Sequence, residues 1–97
     1  MKMNQPRVYI VANKPRGKVY IGKTPNLLQR CIWHKLHVGE SLKTAYQCDI
    51  LVWYEVHDTV ESAKAREAEI KSASRKRQLE LIEKVNPNWT DLYAQLY

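Results

Sequence analysis

A chain of 97 residues, 44 % hydrophobic and 27 % charged, with two cysteines and a formal charge of +6, is expected to form one domain around one modest core. That composition excludes a disordered or low-complexity chain and a disulfide framework, and no apolar run approaches the roughly 18–20 residues of a membrane span. The charge is lopsided, with eight Lys/Arg and no acid before Glu40 but seven basic against eight acidic residues from position 51 onward, which reads as a footprint for nucleic acid or an anionic surface.

The eight early cations are Lys2, Arg7, Lys14, Arg16, Lys18, Lys23, Arg30 and Lys35. The basic N-terminus leads into RVYIVA (7–12) and not into a signal-peptide core, and with only Cys31 and Cys48 and no disulfide framework a reducing cytoplasm is the expected compartment. RVYIVA alternates β-branched and aromatic residues and predicts a strand. NKPRG (13–17) is a turn cluster, and KVYIG (18–22) predicts the second strand of a hairpin whose register the sequence leaves open. Pro25 fits the first turn of a helix, with Thr24 or Asn26 as its cap. That helix runs through LLQRCIWHKL, with Leu28, Cys31, Ile32 and Leu36 as the apolar stripe.

VGESLKTAYQ reads as a loop, and DILVWYEV (49–56) as a third strand, apolar on both faces. Asp58 with Glu61 suggests a capping box opening a helix over VESAKAREAEIKSA. SRKRQLELIEKV continues after a break at Ser72–Ser74 and stops at Asn86-Pro87, because the residue before proline avoids helical angles. Trp89 to Tyr97 predict a short terminal helix packing back on the domain. The order ββαβααα points to an α+β fold, a small three-stranded antiparallel sheet flanked by helices, in one domain over 1–97.

GKVYIGKT (17–24) matches the phosphate-loop pattern G-x-x-x-x-G-K-[ST] literally. The physics of its interior argues against that reading. A phosphate cradle turns backbone N–H groups inward and needs permissive residues, whereas Lys-Val-Tyr-Ile favours extended backbone. Thr24 also precedes Pro25, which biases it away from the helix start that such a loop requires. What remains is Tyr9 and Tyr20 on adjacent strands, Gly22 where a ligand or backbone can approach closely, and Lys23 at the strand end. Arg30 and His34 follow at i, i+4 on one helix face. Glu67 then interrupts the stripe Val60, Ala63, Ile70, Ser74 on the second helix, and a carboxylate there needs a cation; Glu69 is its rival.

VYI at 8–10, VYIG at 19–22, Lys23, Arg30, His34, Glu67 and a late Asn86 closely resemble the GIY-YIG nuclease family over essentially the whole chain. The likeness is greatest to small stand-alone bacterial members, similar to the N-terminal nuclease domain of the excision-repair incision protein. Arg-Val-Tyr stands where the family pattern has Gly-Ile-Tyr. The resemblance implies a metal-dependent DNA endonuclease of DNA repair or processing. Its catalytic set would be Tyr9, Tyr20, Lys23, Arg30, His34, Glu67 and Asn86, with one Mg²⁺ or Mn²⁺ on Glu67. Arg30 and Lys23 would face the phosphate, and Tyr9 or Tyr20 would be the general base, with a slight preference for Tyr9 beside His34. A phenol has a reference pKa of about 10, so the scheme asks cationic neighbours to favour the phenolate.

Lys14, Arg16, Lys18 and Lys35 are the candidate nucleic-acid contacts outside that set. With no separate recognition domain attached, a single-stranded or branched DNA is a more natural target than a specific duplex sequence. Two other readings compete. Cys31, His34, His37 and Cys48 spell C-x2-H-x2-H-x10-C, all zinc-ligand types, although three lie within one helix without the usual turn. The alternative function is a catalytically inactive nucleic-acid-binding module that uses the basic half with Trp33 or Tyr46 to stack on bases.

Overall fold

The structure is a computed structural model that describes residues 5–97; Lys2 lies outside them. Three strands, β1 (Arg7–Ala12), β2 (Val19–Thr24) and β3 (Ile50–Val56), form an antiparallel sheet in the order β2-β1-β3. The hairpin closes through its own side chains: Asn13 Oδ1 accepts the Lys18 N–H at 2.8 Å, and the Gly17 N–H donates to the Lys14 carbonyl at 3.0 Å. Tyr9 stands opposite Gly22 and Val11 opposite Tyr20. Because side chains alternate across a strand, this register gathers Tyr9, Val11, Tyr20 and Gly22 on one face. The VYI of GKVYIGKT is accordingly strand, as its β-branched and aromatic residues demand.

Both faces of the sheet are covered. α1 (Leu27–His37) and a terminal 3-10 turn (Leu92–Leu96) pack over Tyr9, Val11 and Leu51 with Cys31 and Cys48 between them. On the other side, α2 (Val60–Ser72) and α3 (Arg75–Val85) bring Ala63, Ile70 and Ile82 onto Val8, Ile10 and Ile21. β3 serves both layers by a bulge. Ile10 faces Trp53 and Val11 faces Leu51, leaving Val52 as the extra residue. Val52 and Trp53 can then both join the α2–α3 layer. No helix of the described residues is long and apolar enough to cross a membrane.

Four local expectations change. α1 buries Leu27, Cys31 and His34, at i, i+4 and i+7, while Leu36 is 72 % and Ile32 39 % exposed. An inward histidine with partners for both ring nitrogens turns the helix away from the stripe that hydropathy alone favours. Asn26 is the cap, accepting the Gln29 N–H at 3.1 Å, so Pro25 precedes the helix and does not enter its first turn. At α2 the cap is Thr59, whose Oγ1 accepts the Ser62 N–H at 3.0 Å. Asp58 instead accepts from Gln5 Nε2 at 3.2 Å, and the Asp58–Glu61 capping box does not form. The last segment is a 3-10 turn and not an α-helix, entered through Trp89 at φ 55°.

Candidate active site

Gly22 explains how two tyrosines fit on one narrow face. A Cβ built there would lie 2.7 Å from Tyr9 Oη and 2.8 Å from Tyr9 Cε1, so the Tyr9 ring rests directly on the glycine. The close approach that the strand glycine permits is made by a neighbouring ring and not by backbone. Tyr20 lies beside it with ring centroids 6.3 Å apart. Tyr9 is 2 % exposed, whereas Tyr20 is half-buried.

α1 delivers His34 onto this pair, 5.6 Å from the Tyr9 ring and 5.7 Å from the Tyr20 ring. Its Nδ1 lies 3.0 Å from the Ala45 carbonyl, in the 3-10 turn Thr44–Tyr46. A carbonyl only accepts, so Nδ1 carries the proton. Burial, with help from the Arg30 charge, pushes the His34 pKa down, which leaves a neutral ring at pH 7 with a free lone pair on Nε2. Tyr9 Oη sits 3.0 Å from that Nε2. Tyr9 is therefore the donor and His34 the acceptor.

The same burial acts on the phenol. Desolvation pushes the Tyr9 pKa well above its ordinary value of 10, the neighbouring Tyr20 adds to the rise, and Arg30 opposes it without prevailing. Among the chain's own groups, loss of water outweighs the one guanidinium, so Tyr9 is a neutral phenol at pH 7. What the site offers Tyr9 instead is a built exit for its proton.

The remaining members approach from two sides. Arg30 is exposed on α1, its guanidinium 5.3 Å above the Trp33 ring, and its charge reaches both Tyr9 and His34. Lys23 points to the opposite side of edge strand β2, where its Nζ lies 3.6 Å from Glu67 Oε1. Glu67 sits between buried Ala63 and Ile70 on α2 with its side chain 15 % exposed. Lys71 takes its other oxygen at 3.3 Å, an ion pair that i, i+4 spacing favours. Glu69, the rival carboxylate, is exposed and paired with Arg66 at 3.0 Å.

Among the described residues, no three His, Cys, Asp or Glu side chains gather as a metal-binding group. Cys31 and Cys48 are buried free thiols, both pushed up to about 11 by burial, and His34 has both nitrogens engaged. That donor set does not fit zinc, which takes three or four protein ligands. A single partly buried carboxylate does fit Mg²⁺ or Mn²⁺, ions that keep most of their waters and need one or two carboxylates.

Asn86 stands apart from the cluster. Its side-chain amide donates to the Val52 carbonyl at 3.1 Å and the Thr90 carbonyl at 2.9 Å, and its Oδ1 accepts from the Thr90 N–H and Oγ1 at 3.1 and 3.0 Å. Those bonds pin the chain after α3 to the bulge in β3. Two of the four candidate phosphate contacts are also committed elsewhere. Lys35 Nζ pairs with Asp91 at 2.6 Å and with the Asp49 carbonyl at 2.9 Å, holding the terminal segment, and Arg16 pairs with Glu83. Lys14 is exposed at the hairpin turn, and exposed Lys18 hydrogen-bonds Gln47 at 3.1 Å. The Ala45 carbonyl is the participant that sequence reading did not single out, because a backbone carbonyl leaves no signal in the residue types.

The GIY-YIG catalytic domain description matches residues 5–80 of the chain. A UPF0213 protein of Staphylococcus saprophyticus is 35 % identical over 80 residues, spanning 82 % of this chain and 96 % of that protein. No solved structure gives a significant match.

Proposed function

The chain belongs to the GIY-YIG family, and from that membership we propose that it is a DNA endonuclease using one Mg²⁺ or Mn²⁺ ion and a tyrosine–histidine base. The family is one of nucleases that generally depend on a divalent metal. The observation that carries the finer reading is the Tyr9 Oη–His34 Nε2 hydrogen bond, with Nδ1 held on the Ala45 carbonyl.

The reaction is hydrolysis of a phosphodiester in single-stranded or structured DNA. The attacking water gives its proton to Tyr9 Oη as Tyr9 passes its own to His34 Nε2, while the ester P–O bond breaks and the leaving alkoxide takes a proton from solvent water. The imidazole ends as imidazolium with its Nδ1–H still on Ala45, and the phenol is regenerated. No phenolate has to form in a buried site, so the raised pKa of Tyr9 is compatible with its role. Arg30 and Lys23 supply positive charge as the phosphoryl oxygens become more negative. Glu67 would hold the ion, which when bound supplies Lewis acidity at the phosphoryl group. Exposed Lys14 and Lys18 extend the positive surface along the hairpin for the DNA backbone.

A cleavage panel of single-stranded, duplex and junction DNA, with RNA alongside, tests the reading in Mg²⁺, Mn²⁺ and EDTA. Wild-type protein should cut DNA only with the ion. Tyr9→Phe and Glu67→Gln should each lose about 100-fold or more, the scale of a positioned acid–base group. Activity in EDTA, or full activity of Glu67→Gln, rejects the metal role. Loss in Tyr20→Phe with Tyr9→Phe intact moves the base to Tyr20. DNA binding without cleavage of any substrate favours a pure binding module.

A further inference from the structure

The chain's three tryptophans divide sharply. Trp53 and Trp89 are 5 % and 3 % exposed and belong to the core, whereas Trp33 is half-buried on α1, next to His34. Its ring centroid lies 4.8 Å from His37, 5.1 Å from His34 and 5.2 Å from Tyr46, with Arg30 over the ring at 5.3 Å. Through His34 this aromatic group is continuous with Tyr9 and Tyr20. Arg30 and Trp33 also line an open cleft of about 330 Å³ together with Thr24, Pro25, Asn26 and Gln29. No carboxylate lines that cleft, so nothing in its walls repels a nucleic-acid strand.

We propose that Trp33, backed by Tyr46 and His37, is a base-stacking platform that takes an unpaired nucleobase next to the phosphate held by Arg30. It makes single-stranded DNA the preferred substrate class. The placement of the phosphate rests on the nuclease reading above; the platform itself rests on the rings. A base inside a duplex has both faces covered by its neighbours, and only an unpaired base offers a face to an indole without first being unstacked. Arg30 couples the two sites. It covers the Trp33 ring in the free protein, a stable cation–π resting place, and its engagement by a phosphate frees that ring for the adjoining base.

Because the other two tryptophans are buried, the emission of Trp33 is the accessible reporter. The test titrates the full chain, in EDTA so that strands stay intact, with oligo-dT, a duplex of equal length, and a single strand carrying abasic sites. The platform predicts quenching of Trp33 by oligo-dT and much less by the duplex or the abasic strand. Trp33→Leu should weaken oligo-dT binding about 5- to 150-fold, the range of one lost stack, with the salt slope unchanged because no phosphate contact is removed. Equal quenching by all three ligands, or none by oligo-dT, overturns the proposal. So does a Trp33→Leu loss that is uniform across ligands with a shallower salt slope, the signature of a tryptophan that only positions Arg30. The wild-type titration decides the matter even where Trp33→Leu fails to fold. Since cleavage is not read, binding with stacking in a protein that never cuts DNA would sink the nuclease reading alone. Cleavage without Trp33 quenching would sink the platform alone.

Discussion

Each side chain of the tyrosine–histidine cluster depends on something its own residue type does not reveal. Tyr9 and Tyr20 are ordinary strand residues until Gly22 leaves the space into which the Tyr9 ring falls. The His34 ring is neutral because burial lowers its pKa, and a backbone carbonyl at Ala45 holds its one proton on Nδ1. The glycine is the most sensitive single point. Gly22→Ala puts a methyl within 2.9 Å of three Tyr9 atoms, and a buried ring hydrogen-bonded to His34 has little freedom to give way. The substitution should cost about 1–3 kcal/mol, the usual range for overpacking. It should also cut cleavage by at least about tenfold, because Tyr9 must leave His34. A denaturant midpoint and a cleavage rate, measured on the same preparation, check both.

At the level of elements, the sheet carries the site and the helices supply its charges from opposite faces. α1 brings Arg30 and His34 over the tyrosines, while α2 brings Glu67 to Lys23 at the open edge of β2. The bulge in β3 lets one strand feed both layers, and Asn86 locks it there. Asn86→Ala removes both amide donors from the Val52 and Thr90 carbonyls and the acceptor from Thr90. The expected loss is about 1–3 kcal/mol for buried groups left unpaired. Cleavage per folded molecule should hold near the wild-type rate. A large drop in rate with an unchanged unfolding midpoint would give Asn86 a role in cleavage itself.

For the whole molecule, burial sets the pH range of stability. The His34 pKa is lowered from its ordinary 6.5, so below about that pH the unfolded chain binds a proton that the native state refuses, and stability falls as pH falls. Cys31 and Cys48 are raised from 9.0 to about 11 and Tyr9 is raised from 10.0. Above pH 9 the unfolded chain therefore gives up protons that the native state keeps, and stability falls as pH rises. Thermal melts should show a plateau between about pH 7 and 9 with a decline on either side. His34→Gln should flatten the acid limb between about pH 5 and 7, and an unchanged limb would show that other groups control it. Cleavage by wild-type protein should fall on the acid side as well, since a protonated His34 cannot accept from Tyr9.

Much of this was legible in the chain itself. β1 lies over the residues that alternation picks out, the break between α2 and α3 falls at Ser72–Ser74, and Asn86-Pro87 ends α3. These follow from local rules: period-two alternation, serine capping and the steric demand of proline. The tyrosine pair with His34, and Lys23 with Glu67, could be singled out by type and order, and the structure brings each group together. The tertiary structure alone decided the hairpin register, the rotation of α1, the ownership of Lys35 and Arg16, and the direction of the Tyr9 pKa. All but the register, which a local turn closes through Asn13 and Lys18, depend on contacts between residues far apart in sequence. Hydropathy turned α1 the wrong way because it has no term for a buried imidazole with two hydrogen-bond partners. Charge count offered Lys35 to a phosphate, but Asp91, 56 positions later, already holds it. The residue types determine what chemistry this protein has available, and packing determines which proton each group can keep.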